Sequence, residues 1–196
     1  MNTEIEAKFT NIDAGILRHN LRDLHAVLKQ EERLMIRANY DFPDSGIAKM
    51  AGWVRVRDEG DKITLSYKQL NDRTIHGTKE VNLVISSFSH ACIFLESIGL
   101  KQKSYQETKR ESWILDGVEV ELDTWPWIPS FVELEGKSEI DIKKVAHKLG
   151  LNWQKALHGS VETAYQEFND VTEEEIDNWQ TITFTEIPEW LKSKKK

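Results

Sequence analysis

The stretch that decides the fold is Thr-Glu-Ile-Glu-Ala-Lys-Phe at positions 3–9. Successive side chains of a β-strand point to opposite faces, so Glu4, Glu6 and Lys8 share one face and the apolar residues between them share the other. The alternation therefore predicts a strand with one charged face and one apolar face. The apolar face predicts packing against a core, and the charged face needs an explanation of its own.

The same alternation recurs in later segments, where the charges are sorted by sign. The segments at 53–57 (Trp-Val-Arg-Val-Arg) and 64–68 (Thr-Leu-Ser-Tyr-Lys) place bases on the polar face. The segments at 118–123 (Val-Glu-Val-Glu-Leu-Asp) and 131–135 (Phe-Val-Glu-Leu-Glu) place only acids there. Like charges on one face repel one another unless something positive lies opposite. The sorting therefore indicates that acidic strands face basic ones.

Strand and helix patterns together predict an α+β fold of one large domain over residues 1–170, followed by a C-terminal tail over 171–196. The predicted strands cover 2–9, 32–41, 52–59, 62–70, 76–85, 102–115, 117–125 and 130–136. The predicted helices cover 13–28, 87–98, 141–149 and 160–168. Turn residues at 58–61 and 116–117 indicate hairpins, so we expect the sheet to be mainly antiparallel.

Two arrangements of this sheet are compatible with the alternation. An open antiparallel sheet would bury its apolar face and leave its charged face in water. A closed barrel would instead turn the charged face inward, so that the acidic strands lie across a lumen from the bases. The sorting of charges by strand favours the barrel, with helices covering the apolar face outside.

Composition excludes several classes of protein. The 196 residues carry a net charge of −7, which argues against a nucleic-acid-binding surface. The single cysteine, Cys92, excludes an internal disulfide and favours a reducing cytoplasm. No apolar run approaches the ~20 residues of a membrane span, and no export signal opens the chain. We expect a cytoplasmic protein without membrane or nucleic-acid partners.

The charged faces predict a specific chemistry. Clustered carboxylates without accompanying histidine or cysteine favour a hard cation, Mg²⁺ or Mn²⁺. Arginine and lysine facing them would bind phosphate oxygens, arginine through two parallel hydrogen bonds and lysine as a point charge. Together these groups predict a site for a metal ion and a polyphosphate. The same lining also permits a module that binds a polyphosphate or nucleotide without turnover.

The segment Glu-Ile-Glu-Ala-Lys at 4–8 resembles the Glu-x-Glu-x-Lys signature of the CYTH, or triphosphate tunnel metalloenzyme, superfamily. The later Arg-x-Arg, Lys, Glu-x-Asp and Glu-x-Glu segments follow in that family's order, to about residue 168. The resemblance implies an eight-stranded antiparallel β-tunnel with a charged lumen, acting with Mg²⁺ or Mn²⁺ on a small-molecule triphosphate as a monomer or homodimer. The implied metal-side acids are Glu4, Glu6, Glu121, Asp123, Glu133 and Glu135.

The resemblance also implies the bases that bind phosphate and support catalysis, which are Lys8, Arg55, Arg57, Lys68 and Arg110. Glu80 and Lys109 complete the predicted substrate-binding set. Many family members have Lys-x-Arg on the sixth strand, whereas Lys109 is adjacent to Arg110 here. Lys109 would therefore face away from the lumen in a regular strand, and only a bulge would turn it inward.

The resemblance leaves two reactions open. A hydrolase would direct water onto the terminal phosphorus of inorganic, thiamine or nucleoside triphosphate. An adenylate cyclase would direct the ribose 3′-hydroxyl of ATP onto the α-phosphorus, with cyclic AMP and pyrophosphate as products. We favour hydrolysis, because cyclisation additionally requires a pocket for base and ribose.

Overall fold

The computed structural model describes residues 1–196 and has an α+β fold built on one curled, mainly antiparallel sheet. Its strands are β1 Asn2–Thr3, β2 Glu6–Phe9, β3 Val27–Asp41, β4 Gly52–Asp58, β5 Ile63–Leu70, β6 Thr78–Ile85, β7 Lys101–Leu115, β8 Val118–Thr124, β9 Phe131–Glu135 and β10 Thr181–Ile182. Its helices are α1 Ala14–Asp23, α2 Phe88–Ser97, α3 Glu139–Lys148, α4 Glu162–Phe168, α5 Glu173–Asp177 and α6 Glu189–Lys192. No helix is long and apolar enough to span a membrane.

The predicted α+β class is confirmed, but the sheet has ten strands and not eight. The first predicted strand divides, because residues 2–3 pair with β6 whereas residues 6–9 pair with β9. A tenth strand comes from the C-terminal segment and pairs in parallel with β7. The strand order is β1-β6-β5-β4-β3-β7-β8-β9-β2, so consecutive residues of the N-terminal segment lie at the two ends of this path.

Most helix ends lie where their capping residues predict. The side chains of Ser87 and Ser138 accept hydrogen bonds from backbone N–H groups in the first turns of α2 and α3. Gly99 and Gly150 follow the ends of these two helices with positive φ, the conformation that glycine adopts most easily.

The first helix was predicted to reach residue 28, which is wrong. It ends at Asp23, because His25 adopts a left-handed conformation and the backbone N–H of Ala26 donates to the carbonyl of Leu21. The next residues begin β3, a strand of 15 residues that pairs along β7. Val27 and Leu28 continue the apolar spacing of the helix, which is why the sequence predicted a longer helix. These two residues instead pair with β7 and belong to a strand.

The apolar faces of the strands are covered by helices. One cluster of 16 buried residues joins β2, β8 and β9 to α1 and α3, and includes Val120, Leu134 and Ile142. A smaller cluster joins α2 to β3 and β4 through Leu95, Ala38 and Val56. These clusters leave the opposite, polar face of the strands for the interior of the curl.

The C-terminal segment covers part of that polar face. Trp125 and Phe131 lie on the same strand face as Asp123, and they pack with buried residues of the segment such as Ile176, Ile182 and Leu191. Arg73 also forms an ion pair with Glu173. Residues 171–196 therefore carry part of an apolar core and line one end of the interior cavity.

Candidate functional site

The polar faces of the strands enclose one large cavity of about 1250 Å³. All of the predicted site residues except Lys109 line this cavity. They are Glu4, Glu6, Lys8, Arg55, Arg57, Lys68, Glu80, Arg110, Glu121, Asp123, Glu133 and Glu135. Residues from positions 4 to 135 thus line the same cavity.

Lys109 is the exception. Its register with β8 is continuous with that of Arg110, so no bulge turns it inward at this pairing. The ammonium of Lys109 lies 5.2 Å from the ring centre of Phe184, outside the cavity lining. The structure therefore does not bring Lys109 together with the other predicted residues.

The basic wall of the cavity comes from β4 and β5. The ammonium of Lys68 lies 2.7 Å from a carboxylate oxygen of Glu4 and 3.7 Å from Glu80. The guanidinium of Arg57 lies 2.7 Å from the carboxylate of Glu59. Although burial opposes ionisation, Arg57 and Lys62 lower the pKa of the Glu59 carboxyl to about 2. These cations are therefore held in place before any ligand binds.

Arg110 was expected to face the acidic strands across the lumen, and it instead lies beside them. It pairs directly with Asp123 across β7 and β8. Its guanidinium donates to Asp123 and to Glu133 at 2.6 Å each, and lies 3.6 Å from Glu121. The carboxylates of β2, β8 and β9 that line the cavity form its acidic wall. Arg110 thus lies among these carboxylates and neutralises part of this wall.

Lys8 is the second cation that neutralises carboxylates of the acidic wall. Its buried ammonium lies 3.0 Å from Glu6 and 3.1 Å from Glu133, and it also donates to the carbonyl of Gly159. Burial opposes ionisation of Glu133, but Lys8 and Arg110 outweigh it and lower the pKa of Glu133 well below its usual range. Burial and the carboxylates of Glu133 and Glu121 raise the pKa of Asp123 to about 7, against the opposing effect of Arg110.

Other carboxylates in the cavity lack an ion pair. Glu135 lies between Glu6 and Glu119 in the sheet, because the register places these three residues side by side on β2, β9 and β8. Burial and the charges of Glu4 and Glu6 raise the pKa of Glu135 to about 7. Excess negative charge is therefore concentrated at this row.

The donor chemistry of the row fits a hard divalent cation, since Glu119 and Glu135 offer carboxylate oxygens without an ion pair, whereas Glu6 contacts Lys8. No three histidine, cysteine, aspartate or glutamate side chains are arranged as a metal site. Of the six predicted metal-side acids, five contact lysine or arginine and only Glu135 does not. Metal binding would thus draw first on Glu119 and Glu135, with Glu6 beside them.

Sequence reasoning missed several residues that line the cavity. Arg37 on β3 is buried there, and the alternation of the polar Arg37 and Asn39 with the apolar Ile36 and Ala38 was the available signal. Glu162 and Asp177 line the end covered by the C-terminal segment, where no strand pattern marked them. Burial raises the pKa of Glu162 to about 7, with a contribution from Asp177.

Comparison with known proteins identifies the family. The family model described as the CYTH domain matches residues 2–168. The chain belongs to the CYTH family. The resemblance seen in the sequence is therefore confirmed. A search of curated proteins found no match.

Solved structures share the fold of this CYTH protein at low sequence identity. A Vibrio parahaemolyticus protein, described as a candidate adenylate cyclase, has a TM-score of 0.72 and 14% identity, covering 84% of this chain and 98% of its own. A conserved hypothetical protein of Pyrococcus furiosus has a TM-score of 0.65 and 23% identity, covering 79% and 94%. A Hippeastrum protein, described as a candidate adenylyl cyclase with a dominant triphosphatase activity, has a TM-score of 0.57 and 15% identity, covering 85% and 96%.

Proposed function

We propose that this CYTH protein is a metal-dependent phosphohydrolase that acts on a triphosphate compound, such as inorganic, thiamine or nucleoside triphosphate. The observation that carries the proposal is the convergence of Lys8, Arg55, Arg57, Lys68 and Arg110 with at least six carboxylates in one cavity. Only a ligand that combines strong negative charge with a bound cation complements both sets of groups at once.

The proposal includes a closed tunnel. Residues 2–3 pair with β6 and residues 6–9 pair with β9, so the N-terminal segment joins the two ends of the strand path. The backbone N–H of Glu4 donates to the carbonyl of Thr78, and that of Gly136 donates to the carbonyl of Ile5. These bonds support a barrel of eight antiparallel strands around a polar lumen, with β1 and β2 counted as one strand.

In this proposal the basic wall holds and orients the phosphate chain. Arg55 and Arg57 offer planar guanidiniums that can each donate two hydrogen bonds to one phosphoryl group. Lys68 lies on the next strand and adds a point charge. Phosphoryl transfer mainly needs positioning and charge stabilisation. Arg57, which is held by Glu59, and Lys68, which is held by Glu4 and Glu80, would supply both.

The acidic wall would hold the cation. Mg²⁺ or Mn²⁺ bound there would neutralise charge on the phosphate oxygens. Glu135 and Glu119 are the carboxylates that would bind it first, with Glu6 beside them, and the predicted Glu4, Glu121, Asp123 and Glu133 line the same cavity. Lys8 pairs with Glu6 and Glu133, and Arg110 pairs with Asp123 and Glu133, so these carboxylates are less available to the cation.

A second candidate function is the cyclisation of ATP to cyclic AMP and pyrophosphate. Trp53 favours it, because this aromatic side chain lines the cavity and is the cross-strand partner of Lys68. A base stacked on Trp53 would place the ribose beside the bound phosphates. Hydrolysis remains the first proposal, since it uses only the charged lining, and the dominant triphosphatase activity described for the Hippeastrum protein supports this order.

One assay separates these functions from passive binding. The protein is incubated with Mg²⁺ or Mn²⁺ and, separately, with inorganic triphosphate, thiamine triphosphate and ATP, and the products are resolved. Orthophosphate release supports the hydrolase, and cyclic AMP with pyrophosphate supports the cyclase. Tight binding of a triphosphate without any product would show a non-catalytic binding protein and overturn the proposal.

A further inference from the structure

Arg37 is a buried arginine without an anionic partner. It lies in the centre of β3, between Arg57 on β4 and Gln106 on β7, and its side chain lines the cavity. Only 7% of the residue is exposed. Its single hydrogen bond runs from Nη2 to the hydroxyl of Thr108 at 3.1 Å, and its Nε atom has no partner.

The other cations of the cavity differ from Arg37. Lys8, Lys68, Arg57 and Arg110 each lie within about 3 Å of a carboxylate oxygen. Arg55 is the nearest parallel, because it forms no hydrogen bond, its Nε lacks a partner and its closest acid, Glu80, lies 3.6 Å away. Of the buried cations Lys8, Arg37 and Arg55, only Arg37 and Arg55 lack a close carboxylate partner, as Glu135 lacks a cationic one.

Burying a guanidinium without an anion is unfavourable. Burial and the neighbouring guanidiniums of Arg55, Arg57 and Arg110 lower the pKa of Arg37 well below its usual range. Asp123 acts in the opposite direction, but that carboxylate is already bound by Arg110. The ring of Trp125, whose centre lies 4.5 Å from the guanidinium carbon, offsets part of the cost through a cation–π contact.

We propose that Arg37, together with Arg55, forms a phosphoryl-binding subsite that grips one phosphoryl group of the triphosphate. The inference rests on the proposed function and adds a residue to it. Trp125 packs against the Arg37 guanidinium and Thr108 accepts from Nη2, while Nε is buried without a partner and the side chain lines the cavity, so the guanidinium retains unused donors for phosphate oxygens. Phosphate would supply the anion that the empty cavity lacks.

The subsite predicts effects of opposite sign on stability and on binding. In Arg37→Met, a buried unpaired charge is replaced by an apolar side chain of similar length, so the melting temperature of the ligand-free protein should stay the same or rise. Affinity for a triphosphate should fall by about 10- to 100-fold, the range for hydrogen bonds to charged groups. A purely structural arginine would instead lower the melting temperature and leave affinity unchanged.

Arg18→Met provides the matched control. The Arg18 guanidinium donates to Glu111 at 2.8 Å, and the side chain lies outside the cavity lining. The same chemical change there should leave triphosphate affinity unchanged. Arg37→Lys, which retains the charge but not the planar fork, should bind more tightly than Arg37→Met and less tightly than the parent protein.

The test is calorimetric titration with imidotriphosphate, whose P–N–P bridges resist hydrolysis, in Mg²⁺, together with thermal melts of each ligand-free variant. A parent protein that does not bind this probe would overturn the proposed function itself. A parent protein that binds it while Arg37→Met binds equally well would overturn only the subsite. Unfolding of ligand-free Arg37→Met would also overturn the subsite, because it would show that the charge is structurally satisfied.

Discussion

Glu133 and Glu135 lie two residues apart on the same face of β9, yet their carboxyl groups are perturbed in opposite directions. The pKa of Glu133 is lowered well below its usual range, and that of Glu135 is raised to about 7. Burial raises both. The difference comes from the neighbouring strands, since Glu133 is opposite Lys8 whereas Glu135 is opposite Glu6.

The comparison shows that a Glu-x-Glu motif does not define one kind of carboxylate. Glu133 bridges Lys8 and Arg110 at 3.1 and 2.6 Å and belongs to a neutralised network. Glu135 has acids on both sides and no ion pair, so it is the carboxylate that a cation would relieve most. The register between strands therefore gives these two glutamates different environments, an ion-pair network for Glu133 and an unpaired position that a cation could occupy for Glu135.

The largest expected effect distinguishes these two residues by stability. Glu133→Gln leaves Lys8 and Arg110 short of an anion in a buried site, so we expect a loss on the order of 3 kcal/mol in the free energy of unfolding. Glu135→Gln removes a repelled charge and should preserve or raise stability. Urea denaturation of both variants at pH 7 without metal measures the difference. Equal stability of the two variants would contradict the assignment.

The second prediction extends the comparison to the basic wall and rests on the proposed function. Arg57→Ala should lower kcat/KM for the triphosphate by about 10²-fold, the scale of one lost charge-stabilising donor. Arg18→Ala also breaks an arginine–glutamate pair, but outside the cavity, and should keep normal kinetics. Steady-state rates of phosphate release measure both variants. Normal turnover by Arg57→Ala would remove Arg57 from the site.

The third prediction concerns metal binding by the unpaired carboxylates. At Mn²⁺ concentrations tenfold above the dissociation constant, the parent protein should gain about 1.4 kcal/mol of stability by ligand linkage. Glu135→Gln should lose most of this gain. Glu31→Gln, at an exposed position outside the cavity lining, should retain it. Thermal melts with and without Mn²⁺ decide, and an unchanged metal response in Glu135→Gln would place the cation elsewhere.

The smallest expected effect is a pH dependence carried by Glu135. Its folded pKa is about 7, above the ordinary value of 4.5, so the folded state binds more protons between pH 4.5 and 7. Its contribution to stability is therefore greatest below pH 4.5 and is lost as the pH rises towards 7.

The advantage of Glu135→Gln over the parent protein should accordingly grow across this interval and then stay constant. Glu135 is exposed to water in the cavity, so solvent screening limits the difference to about 1 kcal/mol. Chemical denaturation in EDTA at pH 4.5, 6 and 8 measures it. A difference that shrinks with rising pH would have the wrong sign and would reject the assignment.

Much of the architecture followed from alternation and turn residues. The strands around Arg55, Lys68 and Glu121 lie within one or two residues of their predicted positions, because each has one apolar face that packs under helices. The predicted helix starts at 87 and 141 also lie within one or two residues of the starts of α2 and α3, which are capped by Ser87 and Ser138. These signals depend only on residues near one another in the chain.

Other features depended on contacts that local patterns do not record. The end of α1 and the split between β1 and β2 are each set by a strand distant in sequence. Arg110 lies beside Asp123 because β7 and β8 form the hairpin at 116–117, but its contact with Glu133 depends on β9. The packing of residues 171–196 on Trp125 and Phe131 likewise brings together segments that share no common pattern.

The sequence by itself determined which side chains share a strand face, and thereby that these acids and bases lie on the polar face of one sheet. Alternation along a strand is a property of the backbone, so it holds whatever the strand packs against. Only the tertiary structure decided which of these charges are neutralised, because ion pairing depends on the register between strands. A shift of that register would give Glu135 the partners of Glu133, and the unmet charges at Glu135, Arg37 and Arg55 would not exist.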